Sequence, residues 1–303
     1  MEEKLKIPWD REITRNWLPV DMYIGGKEHA VLHLMYARFI TMALHDSGLL
    51  DFEEPFTKFR ANGLLLRDGA KMSKSRGNVI SPDEYFESYG ADVLRVYLMF
   101  LGPYEQGGDW QDKGIVGVAR FLKKAWALSL KLKIENEKGK TTDKNLKSNE
   151  LERLTHKTIK KVTEDVENLQ YNTAIAALME FVNEISRKNL PVTSYQLPVT
   201  ISLKLLAPFA PHMAEELWEQ LGNKTSIHNE PWPKYDPNKI IEEKIIMVVQ
   251  INGKVRAQIE VDADADEDTV KNIALQNEKV GKWLDGEPKK VIVVPGRVVS
   301  IVL

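Results

Sequence analysis

The sequence contains no cysteine among its 303 residues and only six histidines. The lack of thiols excludes disulfide bonds and thiolate metal ligands, and so few histidines leave little scope for zinc. We therefore expect no metal held by protein ligands and no bound zinc. The net charge is only −2, which excludes a generally cationic chain. A nucleic-acid partner would have to bind at a local basic surface.

Long hydrophobic runs are also missing from the sequence. No stretch approaches the roughly 18 to 20 consecutive apolar residues that a transmembrane helix needs. The first residues, MEEKLKIPWDREITRNW, lack the apolar segment of a signal peptide. We therefore expect a cytoplasmic protein without a membrane partner. Apolar residues still make up 43% of the chain, enough for the cores of more than one domain.

Apolar periodicity predicts a parallel strand-helix-strand unit near the start of the chain. The run 18–26 is β-prone and ends in Gly-Gly, and the residues that follow it have helical spacing up to Gly48. A second short apolar strand is predicted at Leu64 to Leu66. Parallel strands joined by a helix are typical of α/β domains.

Two further regions follow this unit. The residues from 114 to 222 have long helical patterns, which predict a bundle; one predicted stripe consists of Ile175, Leu178, Met179, Val182 and Ile185. After a proline-rich linker, two β-prone runs meet at Asn252-Gly253, a strong hairpin signal within a β-β-α-β-β domain. We expect domains at residues 1–66, 67–113, 114–239 and 240–303.

The stretch DGAKMSKSRGN, residues 68–78, places lysines among small residues and is bracketed by glycines. Such a loop can move and bring compact ammonium groups onto a polyphosphate. A solvated surface turn is the alternative.

The helix after this loop has the sequence pattern of a capping box. Ser81 is the predicted N-cap, Pro82 takes the first helical position and Glu84 reaches back to the cap.

The Gly-Gly turn is the other candidate for ligand binding. Gly25 and Gly26 allow backbone amides to approach an anion at the start of the following helix, although such turns are often purely structural. His29 and His33 lie one helical turn apart and could line a polar pocket or bind a metal. A zinc site lacks a third ligand here, and ordinary histidines without a ligand are the other alternative.

The word KMSKS, residues 71–75, is the signature of class I aminoacyl-tRNA synthetases. The blocks NWLPVDMYIGGKEHAVLHLMYARF, KMSKSRGNVISPDEYFESYGADVLRVYLMF, LAPFAPHMAEELWE and VQINGKVRAQIEV resemble those of leucyl-tRNA synthetases, in the same order. The resemblance covers almost the whole chain. It implies the second half of an α/β Rossmann-like catalytic core with the KMSKS loop, then an all-α bundle of the anticodon-binding type, then a small α+β domain.

The same resemblance implies a site for ATP, Mg²⁺ and leucine. Lys71 and Lys74 would be catalytic, holding the end of ATP that leaves as pyrophosphate. The ATP-binding residues would be Gly25, Gly26, Glu28, Lys71, Met72, Ser73, Lys74 and Ser75, and the leucine-binding residues would be Tyr23, His29 and His33. One position departs from the family, because Lys27 stands where an apolar residue is usual.

A tRNA(Leu) partner is implied as well. Basic residues that would contact its phosphates, each of which could equally be a solvated surface charge, are Arg120, Lys123, Lys124, Lys254, Arg256, Lys289, Lys290 and Arg297.

Two features of the family are missing from this sequence: the His-x-Gly-His signature and the insertion that edits mischarged tRNA. We therefore expect half an active site, inactive until an α subunit or N-terminal half of leucyl-tRNA synthetase completes it. A split two-chain enzyme and a truncated chain both fit this expectation. The rival hypothesis is a non-catalytic tRNA-binding module derived from a synthetase.

Overall fold

The fold is that of a computed structural model, which describes residues 7–137, 149–188, 192–241, 244–263, 265–284, 286 and 288–303. The chain divides into two compact units, Met1–Tyr235 and Asp236–Leu303. The finer division into four domains stays a prediction.

The first unit begins with a short helix and a parallel strand pair. Helix α1 (Arg11–Trp17) starts at Asp10, whose carboxylate accepts hydrogen bonds from two backbone amides of the first turn. Strand β1 (Tyr23–Gly26), helix α2 (His33–Asp46) and strand β2 (Phe59–Asn62) then form the predicted strand-helix-strand unit, with β1 and β2 parallel. The buried residues of the helix are Leu34 and Thr41.

The identity of the second strand was predicted wrongly. The apolar run at Leu64 to Leu66 does form a strand, β3 (Leu64–Arg67), but it belongs to a different sheet. In that sheet β3 pairs in antiparallel fashion with β4 (Ala70–Lys71) and in parallel fashion with β5 (Gly107–Trp110). The chain changes sheets at Gly63, whose N–H donates to the carbonyl of Tyr104.

Two helices follow the basic loop, α3 (Asp83–Tyr89) and α4 (Ala91–Phe100). The predicted capping box is present only in part. The Ser81 hydroxyl accepts from the Asp83 N–H at 3.4 Å, as an N-cap side chain does, and it also donates to an oxygen of Asp83. Helix α3 begins one residue later than predicted, and among the described residues Glu84 makes no reciprocal bond to Ser81. The carbonyl of Pro82 accepts the first bonds of the helix, from Tyr85 and Phe86.

The predicted helical bundle is present. Four of the five residues in the predicted stripe are buried and Met179 is partly buried, so this stripe faces the core as expected. The same core takes in Leu94 and Val96 of α4 and Trp110 of β5, which joins the bundle to the sheet. The bundle helices are α5 (Gly114–Glu137), α6 (Asn149–Glu167), α7 (Tyr171–Arg187), α8 (Val192–Leu206) and α9 (Pro211–Gln220).

The second unit has the predicted β-β-α-β-β order around its own core. Both residues of the Asn252-Gly253 turn have positive φ, 46° and 79°, as the tight turn of the predicted hairpin requires. The sheet order is β7-β6-β9-β8. Its elements are β6 (Lys244–Ile251), β7 (Lys254–Asp262), α10 (Glu267–Gln276), α11 (Glu278–Gly281), β8 (Lys290–Val294) and β9 (Val298–Val302).

Within the described ranges, no helix combines the length and the apolar character needed to cross a bilayer.

Replacing Gly63 by alanine should destabilise the first unit by about 2–3 kcal/mol. A Cβ at this position would lie 2.0 Å from the backbone of Gln106 and Gly107, so the two segments would have to move apart. Gly117→Ala is the matched control. A Cβ there meets nothing within 4 Å on α5, and the change should stabilise by about 0.5–1 kcal/mol. Unfolding followed by circular dichroism measures both, and equal stability of the two variants would contradict the close contact.

Candidate active site

The Gly-Gly turn ends β1 and leads into a 3-10 turn, Lys27–Ala30, and not directly into an α-helix as predicted. Helix α2 begins only at His33. The carboxylate of Glu28 folds back over Gly26, where an added Cβ would lie 2.3 Å from Glu28 Oε2. Gly26 is therefore needed for this close approach unless the glutamate side chain moves.

The three residues assigned to leucine form one aromatic cluster with two phenylalanines. Tyr23 Oη is 3.0 Å from His33 Nδ1, and the two rings are stacked at 5.4 Å between centroids. The His29 ring meets the His33 ring edge to face at 6.4 Å. Phe56 and Phe59 lie 4.7 and 5.7 Å from the Tyr23 ring. The cluster forms where β1, α2 and β2 meet.

His29 has an unsatisfied polar atom in this cluster. Its Nδ1 is buried and has no hydrogen-bond partner among the residues that the structure describes. An unpaired buried nitrogen costs free energy, which a ligand with a suitable donor or acceptor would recover.

The basic loop is held at both ends. At its start, Asp68 and Gly69 form a tight turn with φ of 54° and 70° between β3 and β4, and the Gly69 N–H donates to Asp109 Oδ1. At its end, Asn78 Oδ1 accepts from the Ser73 N–H at 2.9 Å, while Asn78 Nδ2 donates to the Lys71 carbonyl. The loop backbone is therefore shaped by Asn78, a role that we did not predict.

Side chains in the loop point in two directions. Met72 is partly buried and packs against the main core of the first unit. Lys71 and Lys74 are exposed, and neither forms an ion pair with any carboxylate in the described part of the chain. Lys74 starts a short 3-10 turn, Lys74–Arg76, which ends at Gly77 with a positive φ of 65°. Both lysines are therefore available to an anionic ligand.

One open cavity of about 570 Å³ brings the two candidate regions together. Glu28 lines it from the Gly-Gly turn and Lys71 lines it from the basic loop. The complete lining is Lys27, Glu28, Asn62, Gly63, Leu64, Leu66, Lys71, Glu105 and Gln106. Ser73, Lys74 and Ser75 lie further along the loop and are not part of the lining.

Several of these residues carried no sequence signal. Asn62, Glu105 and Gln106 enter the cavity only because β2 and the segment before β5 come together in the fold. Phe56 and Phe59 join the aromatic cluster for the same reason. Asn78 alone had a local signal, since asparagine often bonds to the backbone of a neighbouring turn.

A polar cluster beneath the loop joins α3 to β5. Asp112 Oδ1 accepts from the Tyr85 hydroxyl at 2.5 Å and from Trp110 Nε1 at 2.8 Å. These hydrogen bonds, above all that from Tyr85, hold the pKa of Asp112 below its usual value, and burial raises the pKa of Tyr85. The helix that follows the loop is thereby tied to the strand that anchors its start.

The basic residues predicted to contact tRNA lie in two places, on helix α5 of the first unit and in the second unit. Arg120, Lys123 and Lys124 are exposed on α5, and Lys124 donates to Asn183 on α7. Within the second unit, the sheet register places Lys254 and Lys290 at the same end of the sheet.

The other three predicted residues differ in position or in contacts. Lys289, next to Lys290, donates to the carbonyl of Leu303. Arg297 lies in the β8–β9 turn at the opposite end of the sheet. Arg256 is half-buried, with its guanidinium 3.5 Å from the centre of the Trp283 ring.

No group of three or more His, Asp or Glu side chains able to hold a metal occurs in the ranges described.

Two families match this chain. Residues 3–111 match the family described as tRNA synthetases class I (I, L, M and V), and residues 148–271 match the anticodon-binding domain of tRNA ligase. The chain therefore contains catalytic and anticodon-binding domains of the class I type. The match to the anticodon-binding domain continues past Tyr235, the last residue of the first unit.

Two similar proteins are both named leucine–tRNA ligase. A leucine–tRNA ligase of Pseudothermotoga lettingae is 44% identical over 308 residues, and that of Thermotoga maritima is 47% identical over 309.

The chain is a homologue of the leucine–tRNA ligases. These alignments cover 98% of this chain but only 37% of each leucine–tRNA ligase. A solved structure agrees: the ternary complex of Agrobacterium radiobacter K84 agnB2 LeuRS with tRNA and LeuAMS has a TM-score of 0.79 and 33% identity. That match covers 97% of this chain and 40% of the LeuRS chain.

Asn78→Ala should loosen the loop without unfolding the protein. The Ser73 amide would lose its acceptor, and its hydrogen exchange should become about 5–10-fold faster, as the loss of about 1 kcal/mol predicts. Asn78→Asp is the control, because it keeps the acceptor for Ser73 and removes only the donor to Lys71. Unchanged exchange at Ser73 in Asn78→Ala would show that Asn78 does not shape the loop.

Proposed function

We propose that this chain forms part of the active site of a leucine–tRNA ligase. The reaction joins leucine to ATP as leucyl-adenylate with release of pyrophosphate, and then transfers the leucyl group to the 3′ end of tRNA(Leu). The observation that supports this proposal most is the cavity lined both by Glu28, two residues after the Gly-Gly turn, and by Lys71 of the KMSKS word. The leucine–tRNA ligase relatives support the same activity.

The first step needs cations more than it needs an acid or a base. The leucine carboxylate is already ionised and attacks the α-phosphorus, forming a new P–O bond as the bond to pyrophosphate breaks. Negative charge then grows on the leaving pyrophosphate. Lys71 and Lys74 are exposed, unpaired with any described carboxylate and mounted on a shaped loop, so they suit this neutralising role. Mg²⁺ would reach the site with ATP, bound to its phosphates.

ATP and leucine would occupy neighbouring parts of the site. The adenosine part of ATP would lie at Gly25, Gly26 and Glu28, where the Glu28 carboxylate that lies over Gly26 would form one side of the site. The aromatic cluster offers an apolar wall for the leucine side chain, and the unsatisfied Nδ1 of His29 offers a polar contact. The hydrogen bond between Tyr23 and His33 would hold that histidine in one orientation.

A partner portion would complete the site. The chain matches a little over a third of its relatives' length, so the remainder would supply the His-x-Gly-His signature and the editing function. The α5 bundle and the basic end of the second unit would bind the tRNA backbone. The alternative of a non-catalytic tRNA-binding module explains the bundle, but it gives no reason for the arrangement of Glu28, Lys71 and Asn78.

Lys74→Ala should lower the rate of leucine-dependent ATP–pyrophosphate exchange about 100-fold or more, with little change in the leucine concentration required. The ammonium would stabilise charge that grows mainly in the transition state. The assay uses this chain together with the N-terminal portion of a leucine–tRNA ligase. Arg76→Ala is the control, since Arg76 lies on the same 3-10 turn outside the KMSKS word and should change the rate less than 5-fold. A Lys74→Ala enzyme with a normal rate refutes the assignment.

His33→Ala should raise the leucine concentration needed for half-maximal exchange about 10-fold or more, while the requirement for ATP stays close to normal. The change removes a ring that stacks on Tyr23 and bonds to its hydroxyl, so the predicted leucine pocket would lose one wall. His228→Ala, at an exposed position after α9, serves as the control. An unchanged leucine dependence means that the pocket lies elsewhere.

A further inference from the structure

Glu105 places a carboxylate in the cavity that the proposed function assigns to ATP. The cavity lining contains four charged side chains, two lysines and two glutamates, so their formal charges cancel: Lys27, Lys71, Glu28 and Glu105. The phosphates of ATP carry several negative charges, and a cavity without net positive charge attracts them poorly. A further cation beside one of the glutamates would change this balance in favour of a polyphosphate.

Arg60 supplies that cation from outside the cavity lining. Its Nη1 lies 3.0 Å from Glu105 Oε1, which is the ion pair that Glu105 forms in the described part of the chain. Arg60 is on β2 two residues before Asn62, so the alternation of side chains along a strand places both residues on one face. Asn62 lines the cavity, whereas Arg60 does not. The arginine therefore acts on the cavity through Glu105.

A second contact holds the guanidinium of Arg60 to the helical bundle. Its Nη2 donates to the carbonyl of Asn168 at 3.2 Å, in the turn between α6 and α7. The next residue in that turn, Leu169, has a positive φ of 58°. A planar guanidinium can bind two acceptors in fixed directions, which an ammonium group cannot do. The bond to Asn168 thus keeps the arginine in the position from which it pairs with Glu105.

Loss of Arg60 would leave the charge of Glu105 uncompensated at the cavity. Glu105 could then repel the phosphates, or turn towards Lys71, which forms no ion pair with a carboxylate in the described structure. Either change lowers the positive potential that a polyphosphate meets. The Arg60 and Glu105 side chains are 36% and 58% exposed, so water weakens their attraction and the expected effect is moderate.

We propose that Arg60 is a positioning residue for polyphosphate binding, which neutralises Glu105 and keeps its carboxylate away from Lys71. This inference rests on the proposed function for the identity of the polyphosphate as ATP. It adds a residue outside both the Gly-Gly turn and the KMSKS word, and it gives Glu105 a restrained state on which ATP binding depends.

The test is binding of ATP with Mg²⁺, measured by calorimetry on this complete chain assembled with the N-terminal portion of the Thermotoga maritima ligase. Arg60→Met keeps the length of the side chain and removes its charge, so the dissociation constant of ATP should rise about 5-fold. Arg95→Met is the matched control. Arg95 on α4 also donates to a backbone carbonyl, that of Pro208, but it is not near the cavity lining, and its replacement should change the dissociation constant less than about 2-fold.

A double variant separates an electrostatic role of Arg60 from a structural one. In Arg60→Met/Glu105→Gln the carboxylate that Arg60 neutralises is also gone, so the dissociation constant should return to within about 2-fold of the original. Arg60→Lys keeps the positive charge and should stay within about 3-fold. An arginine that merely supported the fold would not be replaced by removal of the glutamate charge.

Salt provides a further measurement on the same variants. The difference between Arg60→Met and the unsubstituted complex should nearly vanish at about 1 M salt, where charges are screened beyond about 3 Å. Unchanged ATP binding by Arg60→Met, a double variant that binds no better than Arg60→Met, or absence of ATP binding by the unsubstituted complex would each overturn the proposal. Arg60→Gln is the second neutral variant, to be measured in the same way if circular dichroism shows that Arg60→Met is unfolded.

Pyrophosphate exchange separates this inference from the proposed function. If ATP binding depends on Arg60 and Glu105 as described but the complex never catalyses leucine-dependent exchange, the role of Arg60 stands and the proposed function fails. If exchange is active and Arg60→Met needs no more ATP than the unsubstituted complex, the proposed function stands and the role of Arg60 is refuted.

Discussion

Gly63 lies so close to the backbone of Gln106 and Gly107 that no side chain fits between the two segments. This contact is where the chain leaves the β1–β2 pair and enters the second sheet. Because β3 then runs beside β5, the loop that follows β3 returns toward the Gly-Gly turn, and Lys71 faces the same cavity as Glu28. The close approach at Gly63 therefore joins the two sheets that carry the two candidate regions.

The loop combines a backbone that is hydrogen-bonded at both ends with cationic side chains that are exposed. Asp109 and Asn78 bind its backbone at the two ends, and Met72 anchors it to the core, while the lysines are left to solvent. Under the proposed function, ordering the backbone in advance would reduce the entropy lost on binding a polyphosphate. Leaving the ammonium groups without carboxylate partners in the described structure avoids the need to break an ion pair first.

Exposed apolar side chains and an unsatisfied polar atom lie close together in the first unit. Exposed apolar residues of α2 and the turn before it lead into His33, and the unsatisfied Nδ1 of His29 lies in the aromatic cluster that includes His33. An unpaired buried nitrogen costs free energy, which is recovered when a ligand bonds to it. Under the proposed function, substrate binding is therefore expected to stabilise this part of the fold.

Local sequence determined the features that depend on neighbouring residues. The Asn252-Gly253 hairpin followed from two residues that tolerate positive φ, and the inward stripe of α7 followed from helical periodicity. The KMSKS word and the Gly-Gly turn also marked both halves of the candidate site, because each is a contiguous run of residues. Both runs resemble leucyl-tRNA synthetases, and the relatives found for this chain agree with that resemblance.

Tertiary structure alone decided which strands pair and which residues meet. Strand β2 contains Arg60 and Asn62 and was not predicted, yet it pairs with β1, while the more apolar Leu64 to Leu66 run joins another sheet. Phe56, Glu105 and Gln106 reach the site from distant segments. Such contacts depend on the close approach of backbones far apart in the chain, which no local pattern of side chains specifies.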